Sequence, residues 1–440
     1  MPEVRPFRLS LGPDVAPFGP EIEYVAAVLE DWYPLRRSGN GAAGDAPVLH
    51  YGARPPKGAF RVPARLFPKN AVAGADGIRL APDCDPVAID GLLPPVGAAR
   101  PRGRSLSYDA IGLAFLMLSR LEERDAASED RYGRFAHATS FAARAGRDRE
   151  PLADIALDDI AAALLGTESP PRRTEYQVLL THDVDRLRGY HRPFEPLRNA
   201  VGDIVNRGRP LGALRRISEA YFGGEPSRSV RELMTLGERH DLACRFYFMG
   251  PSRESMDSPY AITMRECLKR TIDAIRTRGH TVGFHPGFGT ARDPARWLEQ
   301  KSGLESVIGA PVSEGRQHVL DYDAAVTPEI WNDAGMRLDT TLAFPELTGF
   351  RAGTCRPFPA YSLTRREKLA LRQICTAVMD FGLFGGRYRA LDHEAALDEA
   401  RRAAAICKRY GGSLVVLYHT GQAADRPLAR YFDDLLAEAA

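Results

Sequence analysis

Beyond residue 178 the chain alternates between short apolar runs and amphipathic stretches, and this alternation restricts the possible folds more than any other feature. Runs of strand length occur at Val178–Thr181, Arg245–Met249, Thr281–Phe284, Val312–Gln317, Arg337–Thr341, Cys375–Met379 and Leu414–Tyr418. Helix-length stretches lie between most of them: Ser229–His240, Ala261–Thr277, Pro294–Lys301, Pro328–Ala334 and Glu394–Tyr410. Strands joined through helices run parallel, so the pattern predicts an α/β domain whose sheet is either open or closed into a barrel.

The first part of the chain reads differently. Residues 1 to about 104 are rich in Pro and Gly, with a helix expected at Glu21–Trp32, and better helices follow at Tyr108–Glu123, capped by Ser107, and Ile155–Leu165. The segment Thr167-Glu168-Ser169-Pro170-Pro171-Arg172-Arg173 has the composition of a boundary. The expected division is therefore a smaller α+β domain over 1–172 and an α/β domain over 173–440, in keeping with a length of 440 residues. A net charge of +2 gives no reason to expect nucleic acid as a partner, and no run of eighteen apolar residues predicts a transmembrane segment. The start of the sequence has no signal-peptide pattern, and the six cysteines have no CxxC spacing; a cytoplasmic protein with reduced thiols is expected.

The reactive residues fall at strand ends. His182, Asp183 and Asp185 follow the first strand, His285 the third, Arg316 and His318 the fourth, Asp339 the next, and His419 the last. In parallel α/β folds the loops converge at the carboxyl ends of the strands, where sites form. Asp183 and Asp185 are two positions apart, so in extended chain they project to the same side at roughly 6 to 7 Å between Cα atoms. One can hold a metal while the other takes a proton, and His285 and His318 supply nitrogen ligands suited to zinc. Such a set fits hydrolysis of an amide or ester by activated water.

Four stretches resemble the NodB-like polysaccharide deacetylases, carbohydrate esterase family 4, in the family's order. Thr181-His182-Asp183-Val184-Asp185 looks like a variant of the first motif, Thr-Phe-Asp-Asp-Gly, and Gly279-His280-Thr281-Val282-Gly283-Phe284-His285 looks like the start of the second. Gly315-Arg316-Gln317-His318 stands where the arginine motif belongs, and Leu417-Tyr418-His419 resembles the last. The resemblance covers roughly residues 175 to 425 and implies a distorted (β/α) barrel of about seven parallel strands. It implies a general base in Asp183, a metal ligand in Asp185, a base-orienting arginine in Arg316, a catalytic acid in His419 and a metal-binding histidine in His285. The second motif's further histidine is replaced by Gly289. His318 is the expected substitute ligand and His182 the fallback, and the roles of Asp183 and Asp185 could be exchanged. The implied cofactor is a divalent metal, zinc first, with cobalt, nickel or manganese as alternatives.

The stretch Gly349–Phe358 reads as a substrate loop, with Arg351 or Arg356 on an anionic group and Phe358 on a sugar face; it reads equally as a tight turn with solvated arginines. Together with His-Asp-Val-Asp, its Phe-Arg-Ala-Gly-Thr resembles a cytoplasmic subgroup that has an additional amino-terminal domain and is associated with surface-polysaccharide synthesis. Ser119-Arg120-Leu121-Glu122-Glu123 and Tyr132-Gly133-Arg134-Phe135 look like that domain. The long insertion 186–228, studded with arginines, reads as a basic lid for a nucleotide-linked or lipid-linked sugar, or as a helix near Ala213–Phe222 with a wet arginine face. Three functions follow: a metal-dependent N-deacetylase or deformylase acting on an amino-sugar, an amide hydrolase on a non-sugar substrate, or a degenerate, non-catalytic barrel that binds sugar or a biosynthetic partner. The oligomeric state is not specified by the sequence.

Overall fold

A computed structural model describes residues 3–38, 46–96, 103–126, 130–188, 195–205, 210–217, 227–423 and 425–439. The chain forms two compact units that do not follow its order: one combines 1–177, 322–377 and 402–414, the other 178–321, 378–401 and 415–440. The first break lies five residues beyond the boundary expected at 172/173. The second unit is also interrupted, because 322–377 packs with the amino-terminal residues.

The physical reason lies in the hairpin Phe358–Ser362 and Glu367–Gln373, which is not among the expected strands. All five residues of Phe358–Ser362 are buried, and they need a cover. The helix Gly19–Trp32 provides it: Tyr24 Oη donates to the Pro359 carbonyl at 2.8 Å, Trp32 Nε1 to the Pro357 carbonyl at 3.0 Å, and Tyr361 Oη to Glu21 at 2.9 Å. Elsewhere in this unit, four parallel strands run in the order Leu35–Arg37, Arg5–Leu11, Val48–Tyr51, Phe60–Val62. The helix Ala110–Ser119 is capped by Asp109, whose carboxylate accepts from Gly112 N at 2.7 Å, rather than by Ser107.

Six strands, whose residues other than Gln177, Ser413 and Leu414 belong to the second unit, lie in the order Glu314–Gly315, Thr281–Phe284, Arg245–Phe248, Gln177–Val184, Ser413–Leu417, Val378–Met379. In this run Glu314–Gly315 with Thr281–Phe284, Thr281–Phe284 with Arg245–Phe248, Arg245–Phe248 with Gln177–Val184, and Ser413–Leu417 with Val378–Met379 pair in parallel, with helices Arg228–Arg239, Arg265–Thr277 and Pro294–Ile308 in the connections. Gly279, at φ +79°, follows the C-cap residue Arg278 of the second of these. Among the described residues no pairing joins the outer strands of this run, so the observed architecture is mixed α/β with an open run of parallel strands, and the expected barrel closure is not seen. Within the insertion, helices occupy Glu195–Val205 and Pro210–Ile217; His191, Arg192, Arg207, Arg209 and the end of the expected Ala213–Phe222 helix lie outside the described residues. All six cysteines are free thiols.

The expected substrate loop lies in the first unit, and its side chains face inward. Arg351 gives Nη2 to Glu123 at 2.7 Å, Arg356 lies beside Asp154 at 3.3 Å and over the Trp32 ring at 4.8 Å, and Phe358 is fully buried. Neither the solvated turn nor the contact surface matches these surroundings, which are those of internal ion pairs. Removing one partner leaves a buried charge uncompensated, so Asp154→Ala is expected to cost about 3–5 kcal/mol. A urea titration that finds an unchanged midpoint would contradict that role.

Candidate active site

The register of the strands sets the site. Val184 pairs with Phe248, Phe248 with Phe284, and Phe284 with Gly315. The carboxyl ends are therefore level, and Asp185, His285 and Arg316 leave the sheet side by side. Glycine is required at this edge: a Cβ at Gly315 would lie 1.9 Å from the Phe284 carbonyl oxygen. On the other side Met379 pairs with Leu417, which brings Asp380 and His419 to the same end.

Asp183 and Asp185, two residues apart, have different partners. Arg316 donates from Nη1 to Asp183 Oδ1 at 2.7 Å and from Nη2 to Thr181 Oγ1 at 2.9 Å, and its guanidinium lies 5.3 Å from the Tyr247 ring centre. Both members of this ion pair are buried. Asp185 instead faces His285, with Oδ1 3.3 Å from Nε2. Burial pushes the Asp185 carboxyl up, but contact with His285 and the charges of His419, His318 and His285 outweigh it and hold it well below the usual carboxylate range.

The two histidines have their ring orientations fixed from behind. His285 Nδ1 lies 2.6 Å from the Arg316 carbonyl, which can only accept, so Nδ1 carries a proton and Nε2 is the nitrogen turned toward Asp185; burial would lower the pKa of this ring, but Asp183 and Asp185 raise it. His318 Nδ1 lies 2.8 Å from Asp257 Oδ1. Asp257 also accepts from Phe288 N at 2.9 Å and from Ser252 Oγ at 2.6 Å. Burial raises the Asp257 carboxyl, but the bond to His318 prevails and its net shift is downward. One ligand atom from each of Asp185, His285 and His318 can be chosen so that all lie within 4.8 Å of one another. Asp185 Oδ1 and His285 Nε2 are buried and have no hydrogen-bond partner beyond their own 3.3 Å contact. Unsatisfied buried groups are costly, and one carboxylate with two imidazoles is a zinc-type donor set, so the residues fit a divalent ion.

His419 completes the row. Asp380 accepts from His419 N at 2.9 Å and lies 2.6 Å from its Nδ1, while Nε2 points toward Asp183 Oδ2 at 4.0 Å. Burial alone would lower its pKa, but Asp380, followed by Asp185 and Asp183, raises it to about 9. The Phe381 ring stands 4.5 Å from the imidazole. His182, the fallback ligand, is not part of the trio. Its Nδ1 meets the Tyr418 carbonyl at 2.8 Å, it stacks on Phe246 at 4.7 Å, and burial pushes its pKa down to about 3. Asp339 belongs to the first unit, where it accepts from Thr341 N and Gln373.

Asp257 and Asp380 were not singled out from the sequence. Asp380 directly follows an expected strand and was open to the same strand-end reasoning as His419. Asp257 lies eight residues past its strand, where no local signal marks it.

A family of unknown function (DUF7033) matches residues 40–168. No curated protein matches the chain. Among solved structures the chain is similar to a Mycobacterium smegmatis protein described as a polysaccharide deacetylase, at 17% identity over 61% of this chain and 85% of that one, with a TM-score of 0.41. It is also similar to a family 4 carbohydrate esterase from Streptomyces lividans in complex with acetate, at 12% identity over 60% and 90% with a TM-score of 0.31. A third likeness is to a CE4 family pseudoenzyme from Bacillus anthracis, at 12% identity over 60% and 62%, again with a TM-score of 0.31. The chemistry is therefore read from the side chains themselves.

Because Asp257 orients His318, Asp257→Asn is expected to weaken zinc binding by about 10–100-fold. Calorimetric titration of zinc into the apo-protein checks this; an affinity equal to that of the unaltered protein would rule out the role.

Proposed function

We propose that the chain is a metal-dependent hydrolase that removes an N-acyl group, acetyl or formyl, from an amino-sugar during surface-polysaccharide synthesis. The observation that carries this reading is the division of partners between Asp183 and Asp185: the first is tied to an arginine, the second faces a histidine whose other nitrogen is already engaged. The sugar and its pathway are supported by the motif order in the sequence.

Asp185, His285 and His318 would hold the ion, which when bound supplies Lewis acidity to an acyl carbonyl and makes a water more acidic. Arg316 keeps one oxygen of Asp183 occupied, and the other, Oδ2, takes the proton of the attacking water. As the water oxygen adds to the carbonyl carbon and the carbon–nitrogen bond breaks, His419 gives its Nε2 proton to the departing amine. Asp380 fixes the ring from behind and keeps that proton in place up to about pH 9. A non-catalytic chain that binds sugar or a partner is favoured by Gly289, which stands at the second-motif histidine; the trio gathered with His318 weighs against it.

Zinc-loaded protein is expected to release acetate or formate from N-acyl amino-sugars. Asp183→Asn should lower kcat by about 10²–10⁴-fold with metal still bound, whereas Asp185→Asn should lose the metal. Full turnover in both variants would overturn the assignment.

A pH profile tests the acid. Since His419 is raised above the ordinary histidine value, its acid form is complete below about pH 6.5 and is lost as pH rises through about 9. Asp380→Asn is expected to move the alkaline limb of kcat/KM toward lower pH; an unmoved limb would remove His419 from the mechanism.

A further inference from the structure

The insertion that leaves the strand carrying Asp183 contains two helices whose apolar residues face the wrong way for a packed surface helix. In Glu195–Val205, Leu197, Val201, Ile204 and Val205 recur at i, i+4, i+7 and i+8 and are 50%, 53%, 51% and 74% exposed. An adjoining strip of the same helix is the buried one, with Ala200 at 1% and Asp203 at 5%. In Pro210–Ile217, Leu211 and Leu214 are 81% and 65% exposed while Ala213 is buried. Six of the thirteen exposed large apolar residues among the described ones therefore lie on this short pair. Scattered exposed aliphatics are ordinary, but a grouped stripe is an interaction surface.

Charge narrows the partner. Over 186–216 the sequence has eight arginines against only Glu195 and Asp203, in a protein whose whole net charge is +2. Arg198, beside the stripe, is exposed. An aliphatic face on a short helical pair in an arginine-rich segment is the composition of an element that lies in the interface of an anionic bilayer, with the aliphatics in the acyl boundary and the cations at lipid phosphates. No helix among the described residues is long and apolar enough to cross a membrane, so the contact is peripheral in kind.

We propose that helices 195–205 and 210–217 form a docking surface for anionic phospholipid. Because the insertion leaves the strand end that carries Asp183 and Asp185, docking brings that end of the sheet near the membrane surface, where a lipid-linked glycan is presented. The docking claim stands apart from the hydrolase reading: vesicle binding is measured without turnover, so either can fail alone.

The test is flotation of the full-length protein with phosphatidylglycerol and with phosphatidylcholine vesicles. Binding is expected to phosphatidylglycerol, with loss in about 1 M NaCl, where the screening length is only about 3 Å. The triple variant Leu197→Gln, Val201→Gln, Ile204→Gln should weaken it about tenfold or more. If that variant has a lowered thermal transition, Val205→Gln with Leu211→Gln, at the two most exposed positions, replaces it. No binding to phosphatidylglycerol vesicles, or undiminished binding by the variants, overturns the proposal. So does light scattering without lipid that finds an oligomer dissociated by the same substitutions, since the face would then be covered by a second copy of the chain.

Discussion

The second unit's site depends on what Arg316 does with its two ends. Its guanidinium neutralises Asp183 in a buried pair and reaches Thr181 Oγ1, while its backbone carbonyl fixes the tautomer of His285. A buried carboxylate without such a partner would be an uncompensated charge in the interior. An imidazole without a fixed Nδ1 could present either nitrogen. One residue thus sets both the proton acceptor and a ligand, and it does so because level register puts Gly315 beside Phe284.

The residues beyond Arg316 show how much the chain bends to keep this geometry. Val319 and Leu320 both have positive φ, 53° and 60°, a region that non-glycine residues avoid and β-branched ones avoid most. These two residues directly follow His318, whose backbone N–H bonds to the Pro286 carbonyl at 2.9 Å. Gln317 ties the same turn to Thr290 Oγ1 at 2.6 Å. Strain of this kind persists only where the surroundings impose it, and here they hold His318 against His285 at 5.1 Å between ring centres. Gly287 belongs to the same arrangement, since a Cβ there would fall 2.1 Å from the Asp257 carboxylate that orients His318.

The α/β class and the strand ends were legible in the sequence because short apolar runs that end in His, Asp or Arg follow directly from burial. Thr281–Phe284 was read with its observed limits, and His318 was singled out from its position two residues beyond Arg316. What local pattern could not supply was long-range packing. The hairpin Phe358–Ser362 and Glu367–Gln373 is covered by a helix more than three hundred residues earlier, so the return of 322–377 to the first unit could not be read from composition. Arg351 and Arg356 looked like surface groups because their partners, Glu123 and Asp154, are some two hundred residues away. Asp257 and Asp380 act through histidines on other strands, and only the tertiary structure shows which ring each carboxylate holds.

The central claim is that Asp185, His285 and His318 form one divalent-ion centre beside, and distinct from, the Asp183–Arg316 pair. Crystals grown with zinc, with anomalous diffraction collected above and below the zinc edge, test it most directly. One peak is expected at about 2.0–2.2 Å from a carboxylate oxygen of Asp185 and from Nε2 of His285 and His318. A peak that engages Asp183 or His182 in place of this trio, or no peak at the site under saturating zinc, would contradict it.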